Sequence, residues 1–514
     1  MNYPINKLFL RKYNRAHTRM QVISLSLITA VSVCYGVAIH YLSGYAISPV
    51  SATLMTGIGL VALYLGLDLS VGTEYYSPVM FALLFLIGYP AQLMHMVLSR
   101  ESYLSAGFDS TGQFVFSAST YSTVITIACV GILGILFGQL VVKAIISILK
   151  KCTECLRFKK RIIWPFCIWL IARIRFPQPS SATIVFNGLI MAFVFGIILD
   201  SVMWTLGIGQ VGLSGGGGAL PFHLLGIMYY SRLFLLPTIN FVLAGWSLQL
   251  KNRRLVMWAF AFILIEAVFC GIVSISRSTL IYRVVPIIFF LSLSKPLRPR
   301  HAWLMLKLFA VVFVAFSLLI PVIQSLRNLG YSTGHLSVAD INFKTLFSIQ
   351  SSESLFSQVS IAASFAFRRV MGICELMAVS SYPMHGMNIF WDMVTNTGYF
   401  GYIQPAIFGL QLPNEGKMSL GVSLGFFGSL FLSGSLWTVF FGAATGSGAI
   451  LFAEAMFKRL GTPLLGCGIG IILTLLVWDG RDTRTIGYGI VTVILGYFLL
   501  KAISVVSSLC HISD

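Results

Sequence analysis

Apolar residues in this chain come in long unbroken runs, with no alternation of polar and apolar positions. Runs of about 20 residues, the length a helix needs to cross a bilayer, recur from end to end. They predict spans over Val22–Leu42, Val50–Leu67, Pro78–Leu98, Thr120–Leu149, Thr183–Leu206 and Pro221–Leu248. The series continues over Leu255–Ser274, Thr279–Leu293, Trp303–Ile323, Ser433–Phe457, Pro463–Trp478 and Ile486–Val506. In hydrocarbon every backbone group must be paired internally, and without period-two alternation helices are favoured over a barrel. The pattern therefore predicts an all-α polytopic membrane protein of about twelve transmembrane helices. Two stretches do not fit a span. Ile162–Ala172 is too short and carries Trp164 and Trp169, as an interfacial helix would, and Leu420–Leu432 reads as a glycine-broken interfacial or re-entrant helix.

Composition supports the same class: of 514 residues 57% are hydrophobic and 10% charged, against about 25% charged in a soluble domain. The net charge of +19 sits in short segments beside the apolar runs, which is the positive-inside pattern rather than a nucleic-acid-binding stripe. Counting spans from a cytoplasmic N-terminus puts the basic clusters that flank spans on the cytoplasmic side. The polar segment Gln324–Lys417 then falls outside. Three blocks result: residues 1–323, about nine spans with a cytoplasmic basic loop at 143–181; residues 324–432, a large outer-face loop with amphipathic helices, one over Val359–Ser380; and residues 433–514, about three spans. The first run is too long for a signal-peptide core and reads as a retained anchor. The nine cysteines give no disulfide framework, and Cys152 and Cys155 lack the second ligand pair of a zinc site.

Chemistry concentrates on the outer face. Arg277 in SISRST, Arg327 in QSLRNLG, Arg368 and Arg369 in FRRVMG, and Arg481 with Arg484 in the last outer turn come from separate segments. Arginine there runs against the positive-inside trend, and a guanidinium grips phosphate with two parallel donors. A basic pocket for a lipid-linked phosphate is the sharp reading; ion pairs that hold loops are the plain one. His385 and Asp392 follow in MHGMNIFWDM, about two turns apart if helical, and either is suited to general-base work. Asp200, Glu266, Arg283 and Glu454 are the main charges inside spans. Walker, Rossmann and HExxH motifs are missing, so no cofactor or metal is expected.

SRSTLIYRVVPIIFFL after an outward span, the outer segment with FRRVMG, and LGVSLGFFGSLFLSGSLW before a late span resemble the bacterial Wzy-type oligosaccharide repeat-unit polymerases of O-antigen, capsule and exopolysaccharide assembly. The resemblance implies a GT-C-like glycosyltransferase of the bacterial inner membrane. Its substrate would be an undecaprenyl-diphosphate-linked oligosaccharide, with a chain-length regulator and a flippase as partners. By motif the implied diphosphate-binding arginines are Arg277, Arg327 and Arg369, with Arg368 beside the last. O-antigen ligases use an outer-loop histidine, to which His385 is similar, and the base stays open between His385 and Asp392. A flippase of lipid-linked oligosaccharide, an O-antigen ligase and a membrane scaffold are the alternatives.

Overall fold

The computed structural model describes residues 7–73, 75–99, 118–158, 181–207, 224–276, 278–293, 307–308, 310–319, 322–323, 325–326, 370, 372–395, 407, 424–480, 487, 489–492 and 494–495. Among these every regular element is helical. The helices are α1 (Lys7–Leu42), α2 (Pro49–Thr73), α3 (Ser77–Leu86), α4 (Gln92–Ser99), α5 (Ala118–Phe158), α6 (Ala182–Thr205), α7 (Leu224–Tyr230), α8 (Leu236–Gln249), α9 (Arg253–Val273) and α10 (Ser278–Leu293). They continue with α11 (Ala310–Leu319), α12 (Ile373–Ser381), α13 (Met387–Thr395), α14 (Gly425–Phe431), α15 (Leu436–Leu460) and α16 (Pro463–Trp478). Among the described residues 8 helices are long and apolar enough to cross a membrane, and α10, α11 and α16 are shorter apolar helices. The chain is a multi-pass membrane protein.

Local chemistry sets the helix ends. Ser181, Asn252 and Thr462 cap α6, α9 and α16 by accepting backbone N–H bonds of 3.1–3.3 Å. Proline opens α3 and α16, where its missing N–H costs nothing. Two spans are interrupted by π-turns. Ile87–Ala91 separates α3 from α4 with Pro90 inside it, and Ser231–Leu235 separates α7 from α8. The Tyr35 hydroxyl donates to the Pro90 carbonyl at 2.6 Å and so pairs a group at the interruption.

Successive spans alternate in direction, and the contacts between distant helices agree. Gly66 near the end of α2 faces the first residues of α3, Gly36 near the end of α1 faces Pro49 and Thr53, and Gly245 near the end of α8 faces Thr462. All the helix ends that carry Lys251, Arg253, Arg254, Lys458 and Arg459 thus lie at one end of the bundle, called here the basic end. The long-range packing centres on α5 and α15, which run parallel. Gly134 and Gly138 lie against the carbonyls of Phe440 and Ala444, so closely that a Cβ at either would collide, and Ser447 Oγ donates to the Ile135 carbonyl at 3.1 Å. Small residues that let backbones approach are the usual basis of helix association in lipid.

Two sequence expectations change in detail. α5 runs unbroken to Phe158, so the basic segment that begins at Lys143 starts as helix; Ile162–Ala172 and the remainder of 143–181 lie outside the described residues. Within Val359–Ser380 the described helix begins only at Ile373, and α12 is not a surface helix: Ile373, Leu376 and Val379 are fully buried. A Cβ on Gly372 would collide with the Gly88 carbonyl, and Gln92 Nε2 donates to the Val370 carbonyl at 2.5 Å, so this part of the outer segment sinks between α4 and α5. Within Leu420–Leu432 the described residues begin at Leu424 and form α14. Leu430 packs at Gly442 and Phe426 at Gly446, so α14 folds back along α15. Gly446 lies ten residues past Leu436, about 15 Å along the helix. The described residues after Ile486 are helical, and most of that span lies outside them.

Candidate functional site

Two polar constellations stand out. The first is buried between spans. Arg232, in the π-turn before α8, pairs with Asp200 of α6 at 2.6 Å. Its Nε also donates to Cys270 Sγ at 2.9 Å and its Nη2 to the Cys270 carbonyl at 2.7 Å. Arg283 of α10 pairs with Glu266 of α9, and its Nη2 donates to the Arg232 carbonyl at 2.8 Å. Gly196 makes room, since Glu266 Cγ lies 3.0 Å from where its Cβ would be. Two carboxylates balance two guanidiniums, and the four are at most 4% exposed. Oxygens of Asp200 and Glu266 and the Cys270 sulfur lie within 4.8 Å of one another. The donors are those of a metal site, but Arg232 already occupies Asp200 and Cys270, and a dication would leave the neutral cluster with uncompensated charge. The arrangement is a network that ties α6, α9 and α10 to the π-turn.

Asp200, Glu266 and Arg283 are legible in the sequence as charges inside spans. Arg232 is missed there. Its signal was an arginine in the apolar run YYSRLFLLP, with Pro237 five residues on marking an irregular helix. Glu454, the fourth intramembrane charge, is a helix cap. Its carboxylate accepts from Tyr76 N–H at 2.6 Å, Ser77 N–H at 3.0 Å and Ser77 Oγ at 2.5 Å, at the basic end of α3.

The second constellation is at the end opposite the basic residues, on the connection between α12 and α13. His385 Nε2 bonds the Val379 carbonyl at 2.9 Å. That carbonyl belongs to the last turn of α12, where it also accepts the Tyr382 N–H at 3.1 Å. A carbonyl only accepts, so Nε2 carries the proton in that bond, and in the neutral ring Nδ1 has the lone pair. The ring is flanked by Phe431 at 5.2 Å and Tyr382 at 6.5 Å. The backbone is fixed as well: Gly386 N–H donates to the Leu432 carbonyl at 2.9 Å. A Cβ on Gly434, which sits at φ +71°, would lie 3.2 Å from His385 Cβ. Residues from α12, α14 and the turn into α15 thus hold one imidazole in one orientation and one tautomer. Such an imidazole can take a proton at Nδ1 from a group approaching from solvent.

α13 begins at Met387, so His385 precedes the helix and does not share a helical face with Asp392. Asp392 is exposed on the outer side of α13, one turn from exposed Asn388. Arg277, Arg327, Arg368, Arg369 and Arg481 lie outside the described residues. The chain on either side of Arg277 is closely held. Ile275 sits at φ +53°, Ser276 N–H donates to the Gly271 carbonyl at 2.9 Å, and Thr279 Oγ donates to the Ser276 carbonyl at 2.7 Å. No protein-family profile, curated protein or solved structure matches this chain.

Proposed function

We propose that this chain is a membrane glycosyltransferase that polymerises undecaprenyl-diphosphate-linked oligosaccharide repeat units at the outer face of the bacterial inner membrane. In this reading it has about twelve spans in a GT-C-like arrangement. It works beside a flippase and a chain-length regulator. The observation that carries the proposal is His385, an imidazole held through Nε2 by the Val379 carbonyl at the end of the bundle away from the basic clusters, which in its neutral form leaves Nδ1 as the acceptor. The sequence resemblance supplies the substrate class.

The chemistry needs little else. His385 Nδ1 takes the proton of an acceptor-sugar hydroxyl as its oxygen bonds the donor's anomeric carbon. The bond from that carbon to the diphosphate breaks, and undecaprenyl diphosphate leaves with the electron pair. Arg277, Arg327, Arg368, Arg369 and Arg481 would stabilise the charge that develops on the leaving group. Asp392 would serve from the exposed side of α13, orienting the acceptor by its hydroxyls. A transporter of the same lipid is the second reading, because intramembrane charges often mark a path. Here four of them are spent on each other in two ion pairs and Glu454 on a helix end, which favours the enzyme. An O-antigen ligase would differ only in its acceptor.

The test is conversion of a lipid-diphosphate-linked repeat unit into a ladder of longer glycans by purified protein. Folded His385→Ala is expected to lose about 10²–10⁴-fold in rate, and Arg277→Ala, Arg327→Ala and Arg369→Ala to abolish the ladder. A folded wild type that makes no ladder from its native repeat unit but moves that lipid across proteoliposomes overturns the enzyme reading.

A further inference from the structure

α13 has three faces where an ordinary amphipathic helix has two. At about 100° per residue, Ile389, Phe390, Met393 and Val394 occupy one arc. They pack on Val379, Leu424 and Leu432, which belong to α12 and the α14 region. Asn388, Asp392 and Thr395 form an exposed polar arc. Between the two lie Met387 and Trp391, one turn apart, with Met384 just before the helix. They are apolar, yet 48%, 54% and 55% exposed for Met387, Trp391 and Met384. Protein covers the first face and water suits the second. The third is left about half exposed among the described residues, and water does not suit it.

The level of this uncovered face identifies what covers it. Gly386 N–H is bonded to the Leu432 carbonyl, and a Cβ on Gly434 would meet His385 Cβ at 3.2 Å. Two residues later α15 begins its apolar span at Leu436. α13 therefore starts within about one turn of the point where α15 enters lipid. There the surface of α15 presents Trp437 and Phe441, 72% and 54% exposed and stacked at 5.8 Å. Exposed tryptophans at a span end are what a membrane interface selects. We infer that α13 lies in the membrane interface with Met384, Met387 and Trp391 immersed at the headgroup–acyl boundary, continuous with the lipid-facing surface of α15. α13 has no basic residue and carries Asp392, so apolar burial drives the immersion and attraction to anionic lipid does not. The helix holds His385 at the depth of lipid headgroups, where the diphosphate of a lipid-linked substrate lies. The immersion itself stands whether or not the chain is a polymerase.

Trp391 reports on this directly. The full-length protein and its Trp391→Phe variant are reconstituted in zwitterionic nanodiscs, and the difference of their emission isolates Trp391. Bromine carried on the upper acyl chain is expected to quench about half of that difference signal, and high salt to leave the quenching unchanged. Aqueous iodide is expected to quench it little. A second probe, Asp392→Trp in the Trp391→Phe background, is expected to show the reverse, quenched by iodide and spared by bromolipid. A Trp391 signal quenched by iodide alone means the face meets water. One quenched by neither means protein covers it. Either result overturns the inference. Both substituted positions are exposed, and elution as a single species in size exclusion confirms that each variant is folded.

Discussion

Glu454 and Arg283 show how a residue's meaning changes once its partner is known. Glu454 gives one carboxylate to the first amides of α3, with three donors at 2.5–3.0 Å, so removing it leaves buried N–H groups unpaired. Glu454→Ala is expected to cost about 2–3 kcal/mol. Glu454→Gln, which keeps one acceptor, should cost less; thermal unfolding in detergent ranks the two against wild type. Arg283→Met strands Glu266 in the interior and is expected to cost about 3–5 kcal/mol. Arg283→Met with Glu266→Leu should recover most of that loss, because the stranded charge goes with its partner. A double-mutant cycle read by the fraction surviving a heat step measures the recovery. If the double variant falls as far as the sum of the singles, the pair is not coupled. The sequence flags both residues as intramembrane charges but names no partner. Glu454 meets Ser77 across 377 positions, and periodicity carries no information at that range.

Elements were more legible than residues, and the misses have physical causes. Among the described residues the apolar runs locate the 8 long apolar helices to within a few residues, as for Val22–Leu42 inside α1 and Thr120–Leu149 inside α5. They miss how far α1 and α5 continue, because hydropathy reports the thickness of lipid while hydrogen bonding proceeds into polar sequence. α12 is misread for the opposite reason. Glu375 makes its stretch look like surface, yet the carboxylate accepts from Gly372 N–H at 2.7 Å; a local bond of this kind lowers the cost of burial and leaves composition untouched. The π-turns are invisible to pattern, since packing rather than propensity places them, with Pro90 and Pro237 the only hints. At the α5–α15 seam, Gly138→Val would drive a side chain into the Ala444 carbonyl. The helices would have to separate, and we expect a marked fall in the yield of monodisperse protein. Gly226→Ala, at a site where a Cβ meets nothing within 4 Å, should have no such effect and serves as the control.

For the whole molecule, the alternation of spans assigns Asn252 and Asn388 to opposite ends. A membrane-impermeant thiol reagent applied to sealed inside-out vesicles should therefore label Asn252→Cys and spare Asn388→Cys, with the preference reversed in right-side-out vesicles. Labelling of both from one side would break the topology. Of the candidate site, the sequence supplied His385 and Asp392. It did not supply the Val379 carbonyl that fixes the imidazole, because a backbone acceptor has no identity to read. The five arginines remain legible only as an accumulation of charge where the positive-inside trend disfavours it.

The α5–α15 seam also sets a schedule for biosynthesis. Gly134 and its neighbour Phe440 are 440 − 134 = 306 residues apart. At about 5–20 residues per second, about 15–60 s of synthesis separates them. For that time the glycine strip on α5 lacks the helix that packs on it, and the central support of the bundle is missing. α12 and α14, which also pack on α5, emerge from the ribosome shortly before α15 does. A nascent chain halted ahead of Leu436 would have its earlier spans inserted and that strip still unpacked, a feature by which membrane quality control could tell an unfinished copy from a finished one.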